Sequence, residues 1–141
     1  MPDLGGGAFS GWFELESVSL PGGVTDIDNG FFTGCSALKS IAIPNGVKRI
    51  EENAFSGCIA LESIILPTGM EYMRVTLYAV NCPALKSIFF SGTEEEWEYL
   101  IATGLHQPHL SVTVYFYSAG QPEPEENYWR SDKDGVTPLP W

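Results

Sequence analysis

The chain has 141 residues, which suits one hydrophobic core better than two independent ones. It carries 18 acidic and 7 basic residues and a formal net charge of −11, so it has too few cations to neutralise nucleic acid or to dock on anionic lipid. No apolar run approaches the roughly 20 residues that cross a bilayer, so we expect no direct membrane insertion.

The chain opens in the middle of a repeat. The segment GAFSGWFELESV from Gly7 matches NAFSGCIALESI from Asn53 position by position, with Trp12 where the later copy has a cysteine. Residues 1–6 are too short for a cap and have neither the basic start nor the apolar stretch of a secretory signal peptide. We therefore expect a fragment of a longer repeat array, and this chain itself does not reveal export.

A period of about 23 residues organises the chain that follows. Three units align as LESVSLPGGVTDIDNGFFTGCSA, LKSIAIPNGVKRIEENAFSGCIA and LESIILPTGMEYMRVTLYAVNCPA, and a fourth opens as LKSIFFSGT. The units start at Leu15, Leu38, Leu61 and Leu85. A fixed period of this length predicts a solenoid, here of about four repeats with the first one truncated, in residues 1–92.

Each unit is interpreted as one coil of the solenoid. The opening Leu-x-x-Ile-x-Leu alternates in the way that is typical of a short strand with one buried face. Pro-x-Gly then fits a type I turn with proline at its second position, which takes the chain out of the sheet. The rest of the unit returns through a short helical or 3₁₀ segment. Consecutive strands would lie parallel, about 4.8 Å apart, on one face of an α/β repeat solenoid.

The outward side chains of these strands form the candidate ligand-binding surface, because residues two apart share a face. One column is serine in every unit, and the other becomes larger and more apolar toward the C-terminus. The candidate binding residues are Ser40, Ala42, Ser63, Ile65, Ser87, Phe89 and Tyr115. An exposed row of Ile65, Phe89 and Tyr115 would be an apolar patch suited to a partner. Alternatively, the serines merely fit a tight sheet and the tail from Tyr128 to Trp141 covers the patch.

Cys35, Cys58 and Cys82 recur at one position of the repeat and would stack in a column. A metal or redox site would explain them, but no CxxC spacing is present, and a small thiol packs well as a hydrophobe. We therefore interpret them as a structural cysteine ladder.

Residues 93–141 are interpreted as a C-terminal cap that packs as one domain with the repeats. Thr93 and Glu96 form a capping box ahead of apolar residues at helical spacing, and Gly104 follows as a stop. VTVYF from Val112 alternates as a final strand, and residues 121–127 read as a solvated connection. Tyr128, Trp129 and Trp141 are expected to fold back as lids.

Two further groups of residues have the chemical types of a metal or acid–base site. His106 and His109 form an H-x-x-H, but Pro108 interrupts any helix that would hold both on one face, so no metal site is predicted. Glu94, Glu95, Glu96 and Glu98 could pair as an acid and a base, but carboxylates at a helix N-terminus offset the helix dipole more simply. No nucleophile with a partnered base and no phosphate- or dinucleotide-binding motif stands out. We predict no cofactor and no enzymatic activity.

The repeat pattern, with Ala-Phe-x-x-Cys-x-x-Leu closing each unit, resembles the BspA-like class of bacterial leucine-rich repeats from Gly7 to Phe90. GTEEEWEYLIA, VTVYFYS and the NYW…W ending look like the module that closes many such proteins from gut Firmicutes. Trp12 and the third unit, where Val80 stands near the usual phenylalanine, depart from the pattern. The resemblance implies a secreted or cell-surface parent protein without catalytic residues. Its function would be to bind a protein or a cell-surface glycan, or alternatively only to close a longer array as a structural cap.

Overall fold

The structure, a computed structural model, describes residues 7–74, 82–103, 112–117, 128–131 and 138–140. The strands and the helix, in chain order, are β1 (Asp26–Ile27), β2 (Ser40–Ala42), β3 (Arg49–Ile50), β4 (Ser63–Leu66), β5 (Tyr72–Met73), β6 (Ser87–Phe90), α1 (Glu94–Thr103), β7 (Thr113–Tyr117), β8 (Tyr128–Ser131) and β9 (Pro138–Pro140). A six-stranded sheet has the order β2-β4-β6-β7-β8-β9, and a three-stranded sheet has the order β1-β3-β5.

The main sheet has the parallel register that the repeat alignment predicts. β2 pairs with β4 and β4 with β6, so that Ser63 lies between Ser40 and Ser87. Ile64 lies one residue further along β4, points inward and is buried, as are its equivalents in the neighbouring strands. The predicted leucine-rich-repeat solenoid with a parallel sheet on one face is confirmed. The equivalent segment of the first unit, residues 15–20, is not a regular strand and lies beside β2 through a 3.3 Å bond from Lys39 N to Glu16 O.

The return side of the described coils consists of turns and two-residue strands, which differs from the expected helical or 3₁₀ segments. The reason is an alternation of the backbone amides. The amide of Cys35 donates to the carbonyl of Phe32 in its own coil at 3.1 Å, whereas the amide of Gly34 donates to Ser56 in the next coil at 2.8 Å. Because a 3₁₀ helix needs consecutive bonds along its own chain, lateral pairing of every second amide prevents one.

The Pro-x-Gly turn is displaced by one residue from the type I turn that the sequence suggests. In the second coil, the amide of Val47 donates to the carbonyl of Pro44 at 3.3 Å, so proline holds the first position of the turn. Gly46 holds the third position with a φ of 101°. Type II turns require a positive φ there, which glycine adopts without steric cost, so the glycine rather than the proline determines the turn.

The interior is built from rows of equivalent side chains. The leucines that start the units, Leu38, Leu61 and Leu85, are buried in one core cluster. On the return side, the ring of Phe32 stacks between those of Phe9 and Phe55, with centroid distances of 5.5 Å on both sides. Each coil therefore supplies one layer of a continuous core, as expected when neighbouring repeats bury each other's apolar faces.

The capping box of α1 is confirmed. Glu96 accepts a hydrogen bond from the amide of Thr93 at 2.7 Å, and the amide of Glu96 donates to the hydroxyl of Thr93 at 3.2 Å. The carboxylate also accepts the hydroxyl of Thr68 at 2.8 Å, which ties α1 to the third coil. These bonds, first of all the one from the Thr93 backbone, hold the pKa of Glu96 below its usual value. Trp97 and Leu100 are buried in the core.

The end of the chain extends the main sheet. β7 lies parallel to β6, β8 lies parallel to β7, and β9 pairs antiparallel with β8. The backbone of Tyr128 and Trp129 lies within the sheet, where it satisfies the free edge of β7. Their side chains lie outside the described residues, so their role as lids stays a prediction. Val80, Gly104, the 121–127 connection and Trp141 lie outside the described residues. Within the described part of the chain, no helix has the length and apolar character needed to cross a bilayer.

Candidate functional site

The structure places the seven predicted surface residues on one face of the main sheet. Ser40, Ser63 and Ser87 are aligned in one column by the strand register, and the second column runs parallel to it. Thr113 pairs with Ser87 and continues the first column, although the sequence analysis did not single it out. The sequence could have indicated this position, because Thr113 lies two residues before Tyr115 and residues two apart in a strand share a face.

A groove with a volume of about 610 Å³ runs across this face. It is open to solvent, and it spans the first unit, β2, β4 and β6. We call it the sheet-face groove. The residues that line it are Ser17, Val18, Ser19, Ser40, Ile41, Ala42, Glu62, Ser63, Ile65, Lys86, Ser87 and Phe89.

The charged residues of the groove neutralise one another. Glu62 and Lys86 form an ion pair at 4.0 Å, with both side chains mostly exposed. Glu16 and Lys39 form the same pairing two coils earlier, also at 4.0 Å. The position after the opening leucine thus alternates between acid and base, a signal that the sequence analysis missed. Because exposed pairs contribute little stability, their main effect is to keep this rim close to neutral in a chain of net charge −11.

The hydroxyls of the serine column are available to a ligand. Those of Ser40, Ser63 and Ser87 form no hydrogen bond with the part of the chain that the structure describes. Ser40 is exposed, and the other two are half-buried. A serine hydroxyl can donate one hydrogen bond and accept two, so each coil offers both functions to a molecule in the groove.

Phe89 does not have the exposure that the sequence predicts. Only 7% of it is accessible, and its ring stacks on that of Tyr115 with a centroid distance of 5.2 Å and an interplanar angle of 16°. Ile65 and Tyr115 are half-buried. The apolar column is therefore open at Ala42 and Ile65 and closes at Phe89. The side chains of the tail lie outside the described residues.

The three cysteines have the positions expected of a ladder, and all three are free and buried. Each thiol donates to the carbonyl of the phenylalanine in the preceding coil: Cys35 to Phe9 at 3.1 Å, Cys58 to Phe32 at 3.2 Å and Cys82 to Phe55 at 3.4 Å. Burial raises the pKa of all three thiols, that of Cys58 to about 12 and that of Cys82 to about 11. The thiols therefore link adjacent coils and stay protonated.

We expect these thiols to be nearly inert in the native protein. At pH 8, Cys58 should react with Ellman's reagent on the order of 10³-fold more slowly than an ordinary exposed cysteine, because so little thiolate is present. All three should react rapidly in guanidinium chloride. Stopped-flow absorbance measures both rates, and rapid labelling of all three thiols in the native protein would contradict the ladder.

The other chemical candidates do not form a site in the described residues. His106 and His109 lie outside them. The carboxylate of Glu96 is occupied by its hydrogen bonds to Thr93 and Thr68, as expected of a helix cap rather than of a catalytic base. Within the described ranges, no group of three or more histidine, cysteine, aspartate or glutamate residues is arranged to hold a metal ion.

The N-terminal end of the described stack presents apolar side chains and open acceptors. Trp12 and Phe13 are 54% and 65% exposed. The carbonyls of Ala8 and Ser10 are equivalent to those of Phe31 and Thr33, which accept amides of the preceding coil: Phe31 from Phe9 at 2.9 Å, and Thr33 from Gly11 at 2.7 Å. Ala8 and Ser10 accept no such bond from the described residues.

Comparisons with known proteins agree with this architecture. Residues 3–100 match the sequence model of a family described as BspA type leucine rich repeat region (6 copies). A similar solved structure is that of a leucine rich cell surface protein from Faecalibacterium prausnitzii A2-165, with 33% sequence identity and a TM-score of 0.61. The match covers 67% of this chain and 25% of that protein, so the chain spans about a quarter of its length. Among curated protein sequences, none matches the chain significantly.

Proposed function

Because this chain belongs to the BspA-type leucine-rich repeat family, we propose that it is a non-enzymatic binding module of a bacterial surface or secreted protein. It binds a protein or a cell-surface glycan through the sheet-face groove. The similarity to a bacterial cell surface protein supports the location of the parent protein.

The single observation that carries this proposal is the composition of the groove. It combines serine hydroxyls, which form no hydrogen bond within the described part of the chain, with a half-open apolar column, on a nearly neutral face of an acidic protein. Polar groups that fix orientation beside apolar surface are the usual makeup of a recognition site. The thiols stay protonated, which supports a role without nucleophilic chemistry.

The test compares two isoleucines of the third and second coils. Ile65 lines the groove, whereas Ile59 is 57% exposed and lies outside it. The wild-type chain and the Ile65→Asp and Ile59→Asp variants are applied to a microarray of neutral polysaccharides, acidic polysaccharides and deglycosylated epithelial-surface proteins.

We expect wild-type binding to at least one probe, a loss of at least about tenfold in affinity for Ile65→Asp, and wild-type affinity for Ile59→Asp. Circular dichroism serves to check that both variants are folded. Binding that Ile65→Asp leaves unchanged, or no binding by the wild type to any probe, would overturn the proposal.

A structural cap for a longer array is the second candidate, and the N-terminal end of the stack favours it. The carbonyls of Ala8 and Ser10, which accept no amide from the described residues, match those that the first coil uses on the second and the second coil uses on the third. Trp12 and Phe13 would be covered by a further coil. If closing an array is the whole function, the wild-type chain binds none of the probes, and Trp12→Ser reduces its self-association in analytical ultracentrifugation.

A further inference from the structure

Resting on the proposed function, we propose that the ligand of the sheet-face groove is a neutral polysaccharide chain that runs across the strands, parallel to the solenoid axis. Binding of a polypeptide in place of a polysaccharide is one of the results that the test below distinguishes.

The spacing of the groove suits a polymer of sugar rings. Ser40, Ser63 and Ser87 are neighbours across parallel strands, so their hydroxyls repeat about every 4.8 Å along the groove. This spacing is close to the advance of one pyranose ring in an extended β-linked chain, so successive rings would lie over successive coils. Because neighbouring rings of a two-fold chain are turned over, every second ring would make the same contact. An extended polypeptide presents side chains to one face only about every 6.6 Å. This spacing does not match the spacing of the serine hydroxyls over more than one or two coils.

The two columns of the groove match the two surfaces of a pyranose ring. The serine hydroxyls can donate to and accept from the hydroxyl edge of a sugar. Ala42 and Ile65, in the next column, offer apolar surface to the C–H face of the ring, and both are accessible. The stacked rings of Phe89 and Tyr115 close this column on the C-terminal side, which gives the groove an end.

The charges favour a neutral ligand over a charged one. Glu62 and Lys86, the charged side chains that line the groove, pair with each other at 4.0 Å. A cationic or anionic ligand would have to compete with this pair, and the chain's net charge of −11 repels anionic polysaccharides. A neutral polysaccharide neither competes with this ion pair nor is repelled by the net charge. Its affinity should therefore depend little on salt.

The experiment is isothermal titration calorimetry of the whole chain with soluble β-glucan, xylan and mannan as neutral probes and with polygalacturonic acid as the acidic probe. The variants are Ser63→Ala, Ser63→Arg and Ser10→Ala. Ser10 is an exposed serine outside the groove and serves as the matched control.

We expect at least one neutral probe to bind, with an affinity that changes less than about twofold between low and high salt. Ser63→Ala should weaken binding about fivefold, since it removes one hydrogen-bonding hydroxyl, and Ser63→Arg should abolish it by filling the groove. Ser10→Ala should bind like the wild type.

Three outcomes would overturn the inference. If a deglycosylated protein binds through Ile65 on the microarray while all neutral polysaccharides fail in the titrations, the inference falls and the proposed function stands. If polygalacturonic acid binds better than the neutral probes, the charge argument fails. If no polysaccharide or protein binds, both the inference and the proposed function fail.

Discussion

Replacing Phe55 by alanine is expected to destabilise the protein by about 3–5 kcal/mol, the usual range for a buried aromatic ring. Phe55 is fully buried, and its ring stacks on that of Phe32 at 5.5 Å with an interplanar angle of 7°. Its removal opens a cavity between coils, where a repeat protein holds much of its stability. Urea denaturation followed by circular dichroism measures the loss of unfolding free energy.

The matched control for Phe55→Ala is Ile59→Ala in the same coil. Ile59 is 57% exposed, so its truncation should change the unfolding free energy by no more than about 0.5 kcal/mol. If Phe55→Ala cost no more than this control, the stacked row of phenylalanines would contribute nothing to stability, and the description of the interior would be wrong.

Replacing Gly92 by alanine is expected to cost about 1–3 kcal/mol, the range for overpacking a filled site. The added Cβ would lie 2.5 Å from Oε2 of Glu96 and 2.7 Å from Cζ of Phe90. The carboxylate would have to move away, and it would lose its bond to the amide of Thr93 and weaken its link to Thr68. Thermal denaturation should show a lowered Tm.

Gly22→Ala is the control for the glycine at the helix start. An added Cβ at Gly22 meets nothing within 4 Å, and its φ is not positive, so this substitution should leave the Tm close to that of the wild type. An unchanged Tm for Gly92→Ala would show that Glu96 does not need its observed position to hold α1 on the third coil.

The sequence predicted the features that depend on the repeat period. A constant spacing fixes which side chains become neighbours, so the serine column at Ser40, Ser63 and Ser87 and the thiol column could be named from the alignment. The capping box at Thr93 and Glu96 was predictable for a different reason, since its two bonds connect residues three apart.

Features that depend on contacts between coils were not predictable from one unit. The return segment was expected to be helical because its own residues permit it, but the amide of Gly34 pairs with Ser56 instead. Phe89 stacks on Tyr115, which belongs to a strand outside the repeats. The backbone of Trp129 joins the sheet because β7 offers a free edge, which no local pattern in the tail reveals.

Cross-strand nuclear Overhauser effects test the strand register most directly, since the groove, the inner rows and the proposed ligand all depend on it. In an isotope-labelled sample, Ser63 should show contacts to Ser40 on one side and to Ser87 on the other. Contacts from Ile64 to Ser40 and Ser87 instead would mean that β4 is shifted by one residue, which would turn Ser63 inward and break the serine column.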